Sequence, residues 1–180
     1  NTEMFNGKLY DFRYYNHALT ENEITSVYRT GQELGDEVLW MKLLETPVPN
    51  SIGVVDNNYN NVQSGEFDGS HYYEIPYTPT LNTPSFAISV WVYPTGSTTD
   101  YETIWINRVG APKLGGNLYI HQTSKIFSFW VGDGTTSNSW TKLSGPVRQL
   151  NTWQHVICIC DNNHATQKQR LYVDGILVAN

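Results

Sequence analysis

At 180 residues the chain has the length of one domain, and a domain of that size buries roughly 70% of its unfolded surface without help from metal or disulfide. Its formal net charge of −6, with no basic stripe, argues against nucleic acid and anionic membrane as partners. Only 16% of residues are charged, and Asn, Thr, Ser, Gly and Tyr are abundant, a composition of strands and turns. No apolar run approaches the roughly 20 residues of a membrane helix, and the first residues show no charged-then-apolar signal pattern.

In chain order, Lys8 to Tyr15 alternates, with Tyr10, Phe12 and Tyr14 on one side and Leu9, Asp11, Arg13 and Tyr15 on the other. This reads as a strand with an aromatic core face. Thr20-Glu21-Asn22-Glu23 is a capping box, with Leu19 and Ile24 placed as a hydrophobic staple, so a helix is expected from Thr20 to Arg29, ended by Gly31. Gln32 to Glu37 is a polar turn, and Val38 to Leu44 is a strand. Pro47, Pro49 and Asn57 to Asn61 signal a loop. Further strands follow at Tyr72–Ile75, Phe86–Tyr93, Thr103–Asn107, Asn117–His121, Ile126–Val131, Trp153–Cys160 and Arg170–Val173, separated by Gly, Asn, Asp and Pro. Cys158 and Cys160 share one strand face about 6.6 Å apart. Side chains parallel at that distance make a poor disulfide, so both read as small buried hydrophobes. Free thiols point to folding in a reducing compartment or to simple inaccessibility, and the lack of any Asn-x-Ser/Thr acceptor weighs against a heavily glycosylated ectodomain.

Four stretches resemble the laminin-G-like, concanavalin A-like jelly-roll family. Gly7 to Ile24 is similar to its closing strand and short helix. Phe67-Asp68-Gly69 to Pro76, followed by Phe86 to Pro94, is similar to its opening, while Thr152-Trp153-Gln154-His155-Val156 and Leu171-Tyr172-Val173-Asp174-Gly175 are similar to later core strands. The resemblance implies an all-β antiparallel sandwich with one short helix, in which Trp91 and Trp153 occupy core positions. The closing segment stands first. A fragment of a tandem array, a circular permutation, or a strand that completes a neighbouring copy would each explain that order. Closure within the chain is the expectation: one jelly-roll domain over 1–180, with 1–31 as closing strand and helix and 38–180 as opening and central strands.

This family's glucanases place paired carboxylates on one strand, as Glu-x-Asp-x-x-Glu or Glu-x-Asp-x-Glu, and no such run occurs here. Glu21 and Glu23 cap a helix, Asp36 and Glu37 sit in a turn, and Glu102 stands alone. His17, His71, His121 and His164 are scattered without metal spacing, His155 falls on a structural strand position, and no Gly-x-Ser-x-Gly elbow is present. The chain therefore reads as a non-enzyme. The leading expectation is a carbohydrate-binding or adhesion module of a larger surface protein, extracellular or on a cell or virion surface, whose partner is a glycan or a neighbouring protein module. A structural jelly-roll repeat of a viral or phage surface assembly and a divergent glycan hydrolase or lyase are the alternatives. Strand alternation assigns Ile104, Ile106, Leu118, Ile120, Phe127, Phe129 and Val131 to the core. It leaves Trp105, Asn107, Tyr119, His121, Ser128 and Trp130 on an outer face as ligand-binding candidates. The resemblance also implies calcium at a sandwich edge, with Asp11 and Asp56 as the candidate ligands; the alternatives are an Asx-turn at Asp56, the reading favoured there, and for Asp11 a surface pairing near Arg13.

Overall fold

The computed structural model describes residues 4–41, 53–54, 66–70, 72–96, 99–109, 113–132, 134 and 139–180. The elements run β1 (Asn6–Tyr15), α1 (Glu21–Thr30), β2 (Leu39–Met41), β3 (Gly53–Val54), β4 (Glu66–Asp68), β5 (Tyr73–Glu74), β6 (Phe86–Pro94), β7 (Glu102–Val109), β8 (Leu114–Ile120), β9 (Ile126–Gly132), β10 (Trp140–Val147), β11 (Gln154–Cys160), β12 (Gln169–Val173) and β13 (Ile176–Ala179). A seven-stranded antiparallel sheet takes the order β13-β12-β11-β6-β1-β2, with β4 also on β1. A four-stranded antiparallel sheet takes the order β10-β9-β8-β7. Parallel β3 and β5 form a small pair of their own. The fold is the antiparallel sandwich that the sequence implied, and no helix among the described residues is long and apolar enough to cross a membrane.

The core fills the space between the two sheets. Ile88, Val90, Val92, Val156, Cys158 and Leu171 of the larger sheet face Leu118, Ile120, Phe127, Phe129 and Leu143 of the smaller one. Cys158 and Cys160 are free and buried; burial pushes both thiols up, Cys160 to about 11.

The first strand is integral to this sheet. β1 pairs antiparallel with β6 from Gly7↔Pro94 to Tyr15↔Ala87, and on its other edge with β2 and β4. Its side chains do not alternate as expected. A bulge between Tyr10 and Arg13, centred on Asp11 at φ 53°, inserts one residue into the ladder. Leu9, Phe12 and Tyr14 therefore face the core, while Tyr10 turns outward and is 43% exposed. Tyr14 stacks on Phe86, with ring centroids 5.8 Å apart.

α1 lies on the outer face of the larger sheet. Thr20 accepts from Glu23 N while the Glu23 carboxylate accepts from Thr20 N, and Gly31 takes the left-handed conformation that ends the helix. Leu19 and Ile24, with Tyr15, Ala87, Ile157, Ile159 and Tyr172, form a second apolar layer. The helix thus covers one half of the outer face. On the other half lie Trp91, which stacks with Tyr28 and lies tilted against His155, and Trp153, which meets Tyr10 and Tyr93. Both tryptophans were expected in the core; neither belongs to the core clusters.

Four strands went unread in the sequence, the short β3 and β4 and the longer β10 and β13. β10 carries exposed Thr141, Lys142 and Ser144 and a proline on the edge of its sheet, a pattern too polar to stand out. β13 follows a two-residue turn in which Asp174 (φ 51°) and Gly175 (φ 74°) both take positive φ, as a type I′ hairpin requires.

Candidate ligand cleft

The six residues expected to bind ligand do not form one site. Tyr119, Ser128 and Trp130 share the outer side of the four-stranded sheet, and His121 joins them through Tyr101. Tyr101 lies 5.2 Å from Tyr119 and 5.6 Å from Trp130, all in tilted or edge-to-face contact. Tyr119 and Ser128 are buried, however, and the Lys142 ammonium sits 4.0 Å from the centre of the Trp130 ring. The chain itself already occupies these ring faces. Beside Trp130 in the ladder is Asn117, buried with neither amide atom hydrogen-bonded in the structure, a residue that alternation alone did not single out.

Trp105 is a correction. A register shift between Thr103 and Trp105 puts both Ile104 and Trp105 on the core side, where Trp105 packs on Tyr14 and Phe86. Ile106, assigned to the core, is turned out and 46% exposed. Asn107 donates to Leu81 O, away from the aromatic cluster.

Asp11 pairs with Arg13, the alternative open to it in the sequence, but in a buried position rather than at the surface. Its Oδ1 accepts from Arg13 Nε (2.9 Å) and Trp40 Nε1 (2.6 Å), and its Oδ2 accepts from Arg13 Nη2 (2.9 Å). With both oxygens engaged and a guanidinium against them, Asp11 does not suit a calcium ligand. Asp56 lies outside the described residues.

That ion pair forms the floor of a cleft of about 630 Å³ on the outer face of the larger sheet, at the C-terminal end of α1. The bulge at Asp11 creates it by turning Tyr10 out, opposite Trp91 in the ladder. Trp153, just before β11, and Trp40 of β2 add two further rings, and Tyr28, Arg29, Thr30 and Gly31 form the helix wall. Arg13 joins the parts. Its Nη2 donates to Gly31 O (2.8 Å) and its Nη1 to Gln32 O (2.6 Å), carbonyls at the helix end that a cation complements. Its Nη1 also meets Glu37 Oε1 at 3.4 Å, and its guanidinium lies 4.7 Å from the centre of the Trp40 ring. Burial opposes the charge on Arg13, but the hydrogen bonds and charge of Asp11 outweigh it and the pKa is raised. Burial likewise opposes the Glu37 charge. Backbone N–H bonds from Leu34 and Gly35 and the nearby Arg13 prevail, and its pKa is lowered.

Behind Trp91 lies His155. Its Nε2 is 2.8 Å from Ser89 Oγ, its ring is 4.8 Å from Trp91 and 5.5 Å from Tyr28, and burial, assisted by the charge of Arg13, lowers its pKa to about 3. The wall behind the rings is therefore neutral.

A second opening, about 490 Å³ between the sheets, is lined by Phe12, Tyr14, Met41, Phe67 and Trp105, and is predominantly apolar. The outer cleft instead combines aromatic rings with hydrogen-bonding groups, the mixture a polar, ring-shaped ligand needs.

No curated protein and no solved structure matches the chain. The family model described as the concanavalin A-like lectin/glucanases superfamily matches residues 67–180, from β4 to the last residue of the sequence.

Proposed function

Because the chain belongs to the concanavalin A-like lectin/glucanase superfamily, we propose that it is a non-catalytic carbohydrate-recognition module of a larger surface protein, and that its saccharide sits in the cleft beside α1. The cleft itself carries this reading: Tyr10, Tyr28, Trp40, Trp91 and Trp153 converge on one open concavity above a buried ion pair. Sugar rings present apolar C–H faces and a rim of hydroxyls. Aromatic planes bury the first, and the indole N–H groups of Trp91 and Trp153, tyrosine hydroxyls and the mouth residues Arg29 and Glu33 bond the second. Rings set on strands and on a capped helix are also held in place before the ligand arrives, which lowers the cost of binding.

The disposition of carboxylates supports a binding role rather than hydrolysis. Asp11 and Glu37 are committed to Arg13, and buried Glu102 to Arg148 at 3.1 Å, so each is held as an ion pair. A hydrolase needs two carboxylates free to exchange protons across one bond.

The test is a glycan-array screen at millimolar sensitivity, followed by titration of any hit against Trp153→Ala and Tyr10→Ala. Each variant is expected to weaken binding about tenfold or more, ~1.4 kcal/mol. A blank array, or hits indifferent to both substitutions, contradicts the proposal.

One observation favours a structural-repeat reading. β13 lies at the end of its sheet and exposes Ile176 (67%), Leu177 (40%) and Val178 (37%), an apolar edge of the kind that packs on another chain. Concentration-dependent self-association in light scattering, abolished by Leu177→Lys, would support that use of the edge.

A further inference from the structure

The cleft crosses strands rather than sitting on one of them, and this sets the length of saccharide it can hold. Trp153 stands at the start of β11, Trp91 on β6, Tyr10 opposite it on β1, and Trp40 on β2 opposite Arg13. These four strands are neighbours in the larger sheet, in the order β11-β6-β1-β2, and the last turn of α1 walls one side of the cleft. Four strands enclose three spacings of about 4.8 Å, so the floor runs roughly 14 Å from Trp153 to Trp40. The rings make three stations along it. At the β11 end Tyr10 meets Trp153 edge to face, with centroids 6.4 Å apart. In the middle Trp91 stacks on Tyr28 of the helix wall at 5.9 Å. At the β2 end Trp40 lines the cleft beside the Arg13 guanidinium, 4.7 Å from its ring centre. The charged lining is balanced, Arg13 and Arg29 against Asp11 and Glu33, so ring contact rather than net charge grades the ligands.

Resting on the reading of this cleft as a saccharide site, we infer that its ligand is a linear oligosaccharide segment of three sugar units rather than a single terminal sugar. A pyranose in a 1,4-linked chain advances by about one strand spacing, so three units fill the floor from end to end. One unit covers one station and leaves the other two in water. The second and third each bury a further aromatic surface. A fourth lies beyond the floor and adds little.

The experiment is isothermal titration of the folded domain with four β-1,4-linked series, of glucose, N-acetylglucosamine, mannose and xylose, each from one to five units. In a series that binds, affinity is expected to rise about tenfold with the second unit and again with the third, ~1.4 kcal/mol each, and then to level off. Trp153→Ala removes the station at one end, so disaccharide and trisaccharide should bind alike in that variant, its fold being checked by a melting curve. A single unit that binds as tightly as the trisaccharide, or an affinity still climbing from the fourth unit to the fifth, overturns the inference while the saccharide site stands. A trisaccharide advantage that survives Trp153→Ala unchanged also overturns it, since the added units then lie elsewhere. If no series binds, the inference fails, and the saccharide site stands only on Trp153-dependent array hits of another kind.

Discussion

The Arg13 guanidinium is 1% exposed and bonded to two carboxylates and two carbonyls at the helix end, so shortening it strands several buried groups at once. Arg13→Met should cost about 3–5 kcal/mol in urea unfolding, the usual cost of removing one partner of a buried pair. Arg13→Lys should recover only part of that, because an ammonium cannot reproduce the two-bond fork on Asp11. A loss below about 1 kcal/mol for the methionine variant would show that the network is not holding the helix end. His155 supplies a pH signature. The unfolded chain takes up its proton near pH 6.5, whereas the folded imidazole, lowered to about 3, resists it. Its contribution is complete above about pH 6.5 and is lost as pH falls toward 3, by about 1.4 kcal/mol per pH unit while only the unfolded state is protonated. Glu37, also lowered, acts in the same direction further down: its contribution holds above 4.5 and goes as pH drops through its folded value. Urea unfolding at pH 7.5 and pH 5 should show the decline, and His155→Gln should flatten it over that interval.

Bulges decide which faces the elements present. In β1 the residue added at Asp11 inverts the facing of Tyr10 relative to Phe12 and Tyr14, and in β7 the shift at Ile104 brings Trp105 inward. A reading built on strict alternation cannot register an added residue. It was therefore right about Phe12 and Tyr14 and wrong about Tyr10, Trp105 and Ile106. The helix was more legible, because its capping box and terminating glycine are local signals that depend on nothing distant. β1 is the element whose loss should matter most. It lies between β6 and β2, and it buries Leu9, Phe12 and Tyr14, with roughly 1.5–3 kcal/mol for each large side chain. Deleting residues 1–31 should therefore unfold or aggregate the protein. A truncated chain that remains monomeric with an unchanged melting temperature would show that the sandwich does not need the strand.

At the scale of the molecule, the sandwich was readable because apolar β6 and β11 and the motifs around them specify a buried sheet. The cleft was not. Tyr10, Tyr28, Trp40, Trp91 and Trp153 come from five separate stretches, and each alone looks like a core or loop aromatic. Only the topology, which sets β1 beside β6 and β2 and lays α1 across half of their outer face, brings them together. The same topology leaves the aromatic cluster of the smaller sheet covered by its own lysine and buried polar neighbours. The sandwich thus has two aromatic faces, and the ligand belongs to the one beside α1. The most direct measurement is a side-by-side titration of the best array hit against the unaltered domain, Trp153→Ala and Trp130→Ala, with melting curves recorded for all three. The account predicts that Trp153→Ala loses about tenfold or more in affinity while Trp130→Ala binds as the unaltered domain does. Loss of binding in Trp130→Ala with full retention in Trp153→Ala, both variants being folded, would contradict it.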